Sequence, residues 1–516
     1  MEKANEKCQQ MEEGEKTSQL PSSGVDDVLA RIKPFGRFQW FLTFLYTYAC
    51  FAHLCNMQFM GFGGTKPKFE CADDQFDEHG ATGDCRVYYN CTKGNLTFVY
   101  DFYSIVEQWG LVCNESYYVS LITTIQMVGV LLGGFFIGPV TDLYGRKWTY
   151  FWVLALELAA GALSGLCNSW PMFAVFRFVI GFALGACLVC GWVFVAEMTT
   201  NRYRLIIRAV GGAFFAQFDE TVIGYLTRDW RWFSIIGNVQ ALPLLVLVGF
   251  FTYESPRWLL QKGRKAEAEE ILQKMARFNK TSHLLPAKIF GPDPDSVLSS
   301  CPKKYFAWDL FRSRQLAIRT TVMIISYFAL ATINYGMFFG IGDLPMNIYV
   351  SMTLLSVVSA LELPVAFFDA RNVKLNRKYL LVGASTVTVI ANMAVTILLS
   401  LGDGTLKTRA YDSLISTISI FGQLASNVAF DTAYMYSIEL FPTLLRSNAG
   451  ALCSVGARLG SILCPQLLYL EQIWTPLPYC CFSIIAGIGV LVDAIFLPNT
   501  KNLRLPETMH SANNLN

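Results

Sequence analysis

Long apolar runs alternate with short polar segments along almost the whole chain. Each run of about 20 mostly apolar residues can cross roughly 30 Å of hydrocarbon as a helix. The pattern predicts about twelve such helices and therefore an all-α integral membrane protein. The predicted spans are 38–60, 117–140, 149–167, 172–196, 209–227, 232–252, 317–340, 346–368, 379–401, 411–436, 448–470 and 478–497.

Composition supports the membrane class and excludes several others. The 516 residues are 53% hydrophobic and only 16% charged, which is too apolar for a soluble globular protein. The net charge of +2 gives no sign of nucleic-acid binding. The 4 histidines have no metal-ligand spacing, and no catalytic motif is visible. We therefore expect neither an enzyme nor a bound metal or other cofactor.

The charges in the short loops predict the orientation. Lys and Arg gather in the loops around Arg146, Arg377 and Arg446, which places those loops in the cytoplasm. With an even number of spans, both termini are also cytoplasmic. The polar segment 1–37 contains no cleavable signal peptide and is predicted to be a cytoplasmic tail.

The segment 61–116 then lies outside the cell and combines two features of extracellular loops. It contains four cysteines and three glycosylation sequons. These residues are Cys71, Cys85, Cys91 and Cys113, and Asn90, Asn95 and Asn114. The pattern predicts a disulfide-bonded, glycosylated cap, with three possible cysteine pairings; the alternative is a plain spacer.

The chain also divides into two halves. The polar linker 253–316 separates a first bundle, 38–252, from a second, 317–497, which is followed by the tail 498–516. Signals recur about 240 residues apart, which indicates parallel repeats. The recurring pairs are Glu197 with Arg204 and Glu439 with Arg446, and all four residues are predicted to act in gating. Two such bundles can rock about a central site and expose it to one side at a time; chance recurrence of common helix-end residues is the alternative.

A charged loop between the second and third spans is predicted to act in gating. Gly145 allows the turn, Arg146 helps to hold the cytoplasmic side, and Asp142 can accept hydrogen bonds from a neighbouring helix end or an arginine. The alternative is an ordinary positively charged turn. In the corresponding loop of the second half, Val373 and Asn376 replace the Asp and the Gly. Gating is therefore expected to be asymmetric and to depend mainly on the first half.

Charged residues within spans cost about 2.5–3.5 kcal/mol each, so they are candidates for the substrate site. The candidates are Asp219, Glu220, Glu362, Asp431, Arg458 and Arg177. Adjacent residues on a helix point about 100° apart, so Asp219 and Glu220 cannot both face one ligand. The alternatives are ion pairs of the acids with Arg458 or Arg177, and a brace at the kink before Pro364 for Glu362. Gln217, on the same segment as Asp219, is a further candidate.

The loop from Asp142 to Lys147, the segment from Glu254 to Leu259 and that from Glu439 to Arg446 together resemble the major facilitator superfamily. With the outer loop, they resemble its organic cation, anion and carnitine transporter family over residues of about 40 to 500. The resemblance implies the twelve-helix fold of two pseudo-symmetric six-helix bundles. It also implies that Trp192 and Tyr335 face the substrate. The departures from the family pattern are Val373, Asn376 and Asn499.

The resemblance further suggests a substrate class. Cation-preferring members of that family carry Asp where this chain has Arg458, whereas anion and carnitine transporters carry Arg. Arg458 together with the acids implies a zwitterion with a quaternary ammonium and a carboxylate, and aromatic rings suit the ammonium. We therefore expect a plasma-membrane transporter of organic cations or carnitine-like zwitterions, with sodium or proton coupling left open. The alternatives are an organic anion transporter and a non-transporting receptor or scaffold. Its expected partners are the small substrate and the lipid bilayer, with a single chain as the functional unit.

Overall fold

The computed structural model describes most of the chain, and helices dominate the described part. It covers residues 25–71, 85–91, 96–200, 203, 207, 213–285, 289–290, 307–343, 346–371, 376–401, 409–442 and 445–499.

The first half contains long helices, a small cap and two linker helices. In chain order its helices are α1 Val25–Arg31, α2 Arg37–Gly63, α3 Cys85–Asn90, α4 Ile105–Trp109, α5 Tyr117–Tyr144, α6 Arg146–Ser164, α7 Trp170–Glu197, α8 Ala213–Thr227, α9 Trp230–Val239, α10 Leu242–Phe251, α11 Pro256–Gln261 and α12 Lys265–Phe278. The strands are β1 Lys68–Cys71 and β2 Leu96–Val99, which pair antiparallel with Lys68 opposite Val99.

The second half consists of six long helices. They are α13 Arg314–Phe339, α14 Ile348–Arg371, α15 Arg377–Leu401, α16 Arg409–Leu440, α17 Arg446–Tyr469 and α18 Leu477–Phe496. We call the end of the molecule that carries residues 64–116 the cap end, and the end that carries the 142–147 loop and the linker helices the linker end.

A helix occupies each predicted span, and one span is interrupted. Among the described residues, 8 helices are both long enough and apolar enough to cross a membrane. The count of twelve spans therefore stays a prediction. The predicted span 232–252 coincides with one such stretch, Trp230–Phe251, which a short turn at Gln240 and Ala241 divides into α9 and α10. Pro243 lies in the first turn of α10, where its missing N–H is not needed.

Glycines bring helices into backbone contact inside each half. Gly129 and Gly133 of α5 face the backbone of α7, and a Cβ atom at either position would overlap its carbonyl oxygens. In the second half, Gly456 and Gly460 of α17 lie against the carbonyl oxygens of α13 in the same way. Small residues allow such close approach, and dispersion contacts then stabilise the pairs in a membrane. The segment around Arg458 is therefore held firmly against α13.

The two halves contact each other from the cap end down to the middle of the helices. At the cap end, Lys66 forms an ion pair with Glu471 at 2.6 Å. Further in, α5 packs against α17 and α8 packs against α14. The hydroxyl of Ser359 on α14 donates to the side chain of Gln217 on α8 at 2.6 Å. The polar contacts found at the linker end of the described chain lie within one half, so the halves are joined mainly at the cap end.

The N-terminal segment and the linker pack together on the first half, which the sequence did not predict. Leu29 of α1 and Met275 of α12 are buried in one apolar cluster. Asn279 accepts a hydrogen bond from the backbone N–H of Phe38 at 2.8 Å and donates to the carbonyl of Ile32 at 3.1 Å. Its side chain is only 4% exposed, so this sequon is unavailable for glycosylation.

The cap contains the expected disulfide chemistry. Cys85 and Cys113 form a disulfide, and Cys91 is also disulfide-bonded. The side chain of Cys71 lies outside the described part, as do those of Asn90 and Asn95. Asn114 is exposed at the surface. The prediction of a disulfide in this loop is confirmed for Cys85 and Cys113, and glycosylation stays a prediction.

The cap is expected to lose stability as pH rises, because of Glu107 on α4. Burial of its carboxylate raises the pKa of Glu107 to about 8, against a smaller lowering by the Ser104 backbone. The folded cap therefore keeps a proton that an unfolded glutamate loses above a pKa of about 4.3. Stability is expected to fall between about pH 4 and 8 and then level off. Glu107→Gln should flatten this dependence in melting curves of the purified protein, whereas the same change at the exposed Glu115 should not. An equal slope in wild type and Glu107→Gln would refute this assignment.

Candidate substrate site and gate

Arg458 and Tyr335 lie together in the middle of the molecule, where the halves meet. Nη1 of Arg458 on α17 is 3.4 Å from the hydroxyl of Tyr335 on α13, and both side chains are partly exposed. Tyr335 packs in an apolar cluster that includes Met127 and Leu188 of the first half. In the described part of the chain, Arg458 forms no ion pair with an acid. Its planar fork of donors is therefore available to a ligand's carboxylate.

Asp219 points in a different direction from Gln217 and Glu220 on α8. Gln217 contacts Ser359 of the second half and so lies at the interface. Glu220, three residues later, is 2% exposed, lies near Cys55 of α2, and has no hydrogen-bond partner for Oε1. Because three residues turn a helix by about 300°, Glu220 lies within about 60° of the Gln217 face. Of the two acids, Glu220 is the one on the Gln217 side of α8, and Cys55 beside it belongs to the first half.

Asp219 contacts the break between α9 and α10. Its carboxylate accepts a hydrogen bond from the side-chain amide of Gln240 at 2.8 Å. The backbone carbonyl of Gln240 accepts from the hydroxyl of Tyr48 at 2.5 Å. A broken helix leaves backbone groups without partners; the Tyr48 contact satisfies one of them, and the Asp219 contact fixes the Gln240 side chain. This geometry favours a supporting function for Asp219.

The other candidates lie on different helices. The ring centroid of Trp192 on α7 is 5.9 Å from that of Tyr46 on α2. Asp431 on α16 is partly exposed, whereas the side chain of Glu362 and residue Arg204 lie outside the described part. No contact between Trp192 and the Arg458–Tyr335 pair is found in the described residues.

Arg177 is fully buried, and no acid among the described residues pairs with it. Its guanidinium carbon lies 3.6 Å from the centroid of the Phe59 ring and 4.7 Å from that of Phe173. None of its three side-chain nitrogens has a hydrogen-bond partner in the part of the chain that the structure describes. Ring faces attract cations, and this attraction strengthens where water is excluded. The position favours a structural function, and ion pairing of the membrane acids with Arg177 or Arg458 finds no support among the described residues.

The charged loop forms a compact cluster at the linker end, which we call the first-half cluster: Asp142, Arg146, Glu197 and Glu254. Arg146 pairs with Asp142 at 2.6 Å and with Glu197 at 3.3 Å. Oε1 of Glu254 accepts from the backbone N–H groups of Arg146 and Lys147 at 2.8 and 3.1 Å. These contacts tie the linker ends of α5, α6 and α7 to the segment after α10. In this conformation the cluster braces one half and does not bridge the two.

Gly145 is required by that geometry. Its φ of +99° is unfavourable for any residue with a side chain. A Cβ atom there would lie 2.5 Å from the Glu254 carboxylate. The indole N–H of Trp258 on α11 donates to the carbonyl of Asp142 at 3.0 Å, which anchors the linker beside the turn.

The second half contains a corresponding cluster with no net charge, which we call the second-half cluster: Asn376, Arg377, Glu439 and Asn499. Arg377 pairs with Glu439 much as Arg146 pairs with Glu197. The side-chain amide of Asn376 donates to Asn499 at 2.5 Å, and Asn376 also accepts from the backbone N–H of Lys378 at 3.3 Å. Two of the three departures from the family pattern therefore contact each other. Nε and Nη2 of the predicted gating residue Arg446 are buried, and neither has a hydrogen-bond partner among the described residues.

Sequence reasoning missed a buried polar network in the first half. His53 of α2 contacts Glu157 of α6 at 2.9 Å, and Asn56 donates to Glu157 at 3.1 Å. Asn56 also donates to Asn238 of α9 at 2.8 Å. Glu157 is a charge inside the predicted span 149–167, so the criterion that selected Asp219 should have selected it too. Asp493 of α18, which accepts a hydrogen bond from Ser326, also lies inside a predicted span and was likewise missed.

Two packed helical halves around partly exposed charged and aromatic side chains are the architecture of a membrane transporter. The chain belongs to the sugar (and other) transporter family, whose sequence profile matches residues 87–510. That membership confirms the major facilitator fold and a transporter, not an enzyme.

Similar proteins support the same family. Solute carrier family 22 member 4 of Mus musculus is 30% identical over 79% of this chain and 71% of its own. The organic cation transporter protein of Drosophila melanogaster is 28% identical over 95% of each chain. The partially occluded inward-open structure of the xylose transporter XylE from E. coli superposes with a TM-score of 0.59 at 15% identity. It covers 91% of this chain and 100% of that one.

Proposed function

We propose that the protein carries organic cations or carnitine-like zwitterions across the plasma membrane by alternating access. Arg458 is the observation on which the substrate class depends. It is partly exposed between the halves, contacts Tyr335, and has no acidic partner in the described residues. A guanidinium held in this way suits a carboxylate, while the Tyr335 ring and the Glu220 carboxylate suit an ammonium group. The names of the similar transporters in Mus musculus and Drosophila melanogaster support small organic substrates.

The contacts between the halves support the rocking motion. The polar contacts between the halves extend from the cap end to the Gln217–Ser359 hydrogen bond. At the linker end, the ion pairs found in each cluster join residues of the same half. With the linker end in the cytoplasm, this is a conformation closed toward the outside. Opening the outer side requires breaking the Lys66–Glu471 ion pair. Because this pair is surface-exposed, breaking it costs about 1 kcal/mol or less.

No bound cofactor is required for this activity. A net cation gains about 2.3 kcal/mol per 100 mV from the membrane potential, which corresponds to nearly fiftyfold accumulation. A neutral zwitterion gains nothing from the potential and needs a coupled ion to accumulate. Both termini are assigned to the cytoplasm, and one chain contains the complete site between its halves.

A second candidate is organic anion transport, which is favoured by the charge of Arg458, for which the described residues provide no acidic partner. In that case Asp219 and Glu220 have structural functions only. Uptake currents separate the two candidates, because cation and anion entry carry current of opposite sign.

Uptake of a substrate panel by expressing cells tests the proposal. The panel contains carnitine, betaine, spermidine, tetraethylammonium and an aryl anion, each with and without sodium. We expect saturable uptake of carnitine or a quaternary ammonium, with little uptake of the aryl anion. Preferred uptake of the aryl anion would instead support the second candidate.

A further inference from the structure

Three side chains with metal-binding atoms meet inside the first half, away from the substrate site. They are His53 of α2, Glu157 of α6 and Cys187 of α7. One ligand atom from each lies within 4.8 Å of the other two. The three side chains are 6%, 0% and 1% exposed, respectively. Imidazole nitrogen, carboxylate oxygen and thiolate sulfur are the ligands that zinc prefers.

We propose that His53, Glu157 and Cys187 bind one zinc ion, which links α2, α6 and α7. Ligand atoms around tetrahedral zinc lie about 3.3 to 3.8 Å apart, so closing the site requires shifts of about 1 Å. The fourth position is left to water.

Charge balance favours a divalent ion at this buried position. Glu157 and the Cys187 thiolate together carry two negative charges, which a zinc ion neutralises. A neutral complex avoids the large cost of an uncompensated charge in an apolar interior. On binding, the sulfur–proton bond is replaced by a sulfur–zinc bond, and the thiol proton leaves to solvent. Nδ1 of His53 now faces the Glu157 carboxylate and donates to it, so ligation through Nδ1 requires that proton to leave, after which the ring carries one proton on Nε2.

Residues behind the ligands hold them in place. Asn56 donates to Oε1 of Glu157 at 3.1 Å, and the Asn56 side chain is fixed by Asn238 at 2.8 Å. Gln126 of α5 donates to the backbone carbonyl of Asn56 at 2.7 Å. Hydrogen bonds to a ligating carboxylate orient it and typically change metal affinity by about 10–100-fold. His53 is the most exposed of the three ligands, so the ion enters from its side.

Zinc binding to the purified full-length protein in detergent tests the proposal without any transport assay. After chelation and readdition of zinc alone, we expect about one zinc per chain and a rise in melting temperature. Cys187→Ser and His53→Gln are each expected to weaken zinc binding more than about tenfold. Cys190→Ser is the matched control, because Cys190 is equally buried one turn away on α7 but contacts the Arg146 carbonyl.

Cobalt binding to the unmodified protein gives a second measurement that does not depend on folding of the variants. A thiolate-to-cobalt absorption band, absent in Cys187→Ser and present in Cys190→Ser, is the expected result. No zinc bound by the wild type, equal zinc affinity in wild type and Cys187→Ser, or equal loss in Cys190→Ser would each overturn the proposal. Zinc binding by a protein that takes up no substrate would leave this site intact and refute only the transport function.

Discussion

Replacing Arg146 with glutamine is expected to reduce uptake to about a tenth of the wild-type rate or less. Arg146 is the centre of the first-half cluster, its side chain is 7% exposed, and it pairs with two acids. Most of the effect comes from Glu197, which is 17% exposed, because the 69% exposed Asp142 is strongly screened by water. Losing a charge-assisted hydrogen bond costs about 1.5–3 kcal/mol, or about a ten- to hundredfold change in an equilibrium. Without it, the linker ends of α5, α6 and α7 no longer move as one body.

The matched control for this prediction is Arg377→Gln in the second-half cluster. There the Arg377–Glu439 pair lies closer to water, with side chains 22% and 29% exposed, and the neutral Asn376–Asn499 hydrogen bond lies beside it. We therefore expect a smaller loss of uptake, measured with labelled substrate and normalised to the amount of protein at the cell surface. A larger loss of uptake in Arg377→Gln than in Arg146→Gln would contradict the expectation that gating depends mainly on the first half.

Replacing Arg458 with aspartate is expected to shift the substrate preference toward cations that lack a carboxylate. The change removes the donors that face a carboxylate and adds a negative charge beside Tyr335. The KM for carnitine is expected to rise by about ten- to hundredfold, while that for tetraethylammonium falls or stays unchanged.

Two further variants separate charge from shape at this position. Arg458→Lys keeps the charge without the planar fork and should retain part of the carnitine uptake. Tyr335→Phe removes only the 3.4 Å contact with Arg458 and should change the KM for carnitine less than Arg458→Asp. An unchanged ratio of carnitine to tetraethylammonium uptake in Arg458→Asp would refute the substrate assignment.

The helices were predictable from sequence because the cost of polar groups in hydrocarbon acts on each segment separately. A helix is present at each predicted span, and the polar linker contains a helix at Lys265–Phe278. The break at Gln240 was not predictable in this way. Hydropathy is continuous across it, and the partners that make it tolerable, Tyr48 and Asp219, belong to other helices.

The candidate site was predicted only in part, because contacts between distant segments leave no local trace. Asn376 and Asn499 each appeared as a separate loss of a family feature, yet they form one hydrogen bond across 123 positions. Likewise, periodicity shows that Asp219 and Glu220 diverge, but not that Asp219 contacts Gln240. His53 and Glu157 form a contact that the local sequence around neither residue predicts.

Counterflow in proteoliposomes containing the purified protein tests the central claim, transport of a small organic solute by alternating access, most directly. Labelled carnitine or tetraethylammonium outside is expected to enter faster when the vesicles are preloaded with the same unlabelled compound. The acceleration should disappear in vesicles without protein and decrease strongly with Arg146→Gln. No counterflow of either compound, or of the other members of the panel, by correctly folded protein would contradict the account and leave a receptor or scaffold as its function.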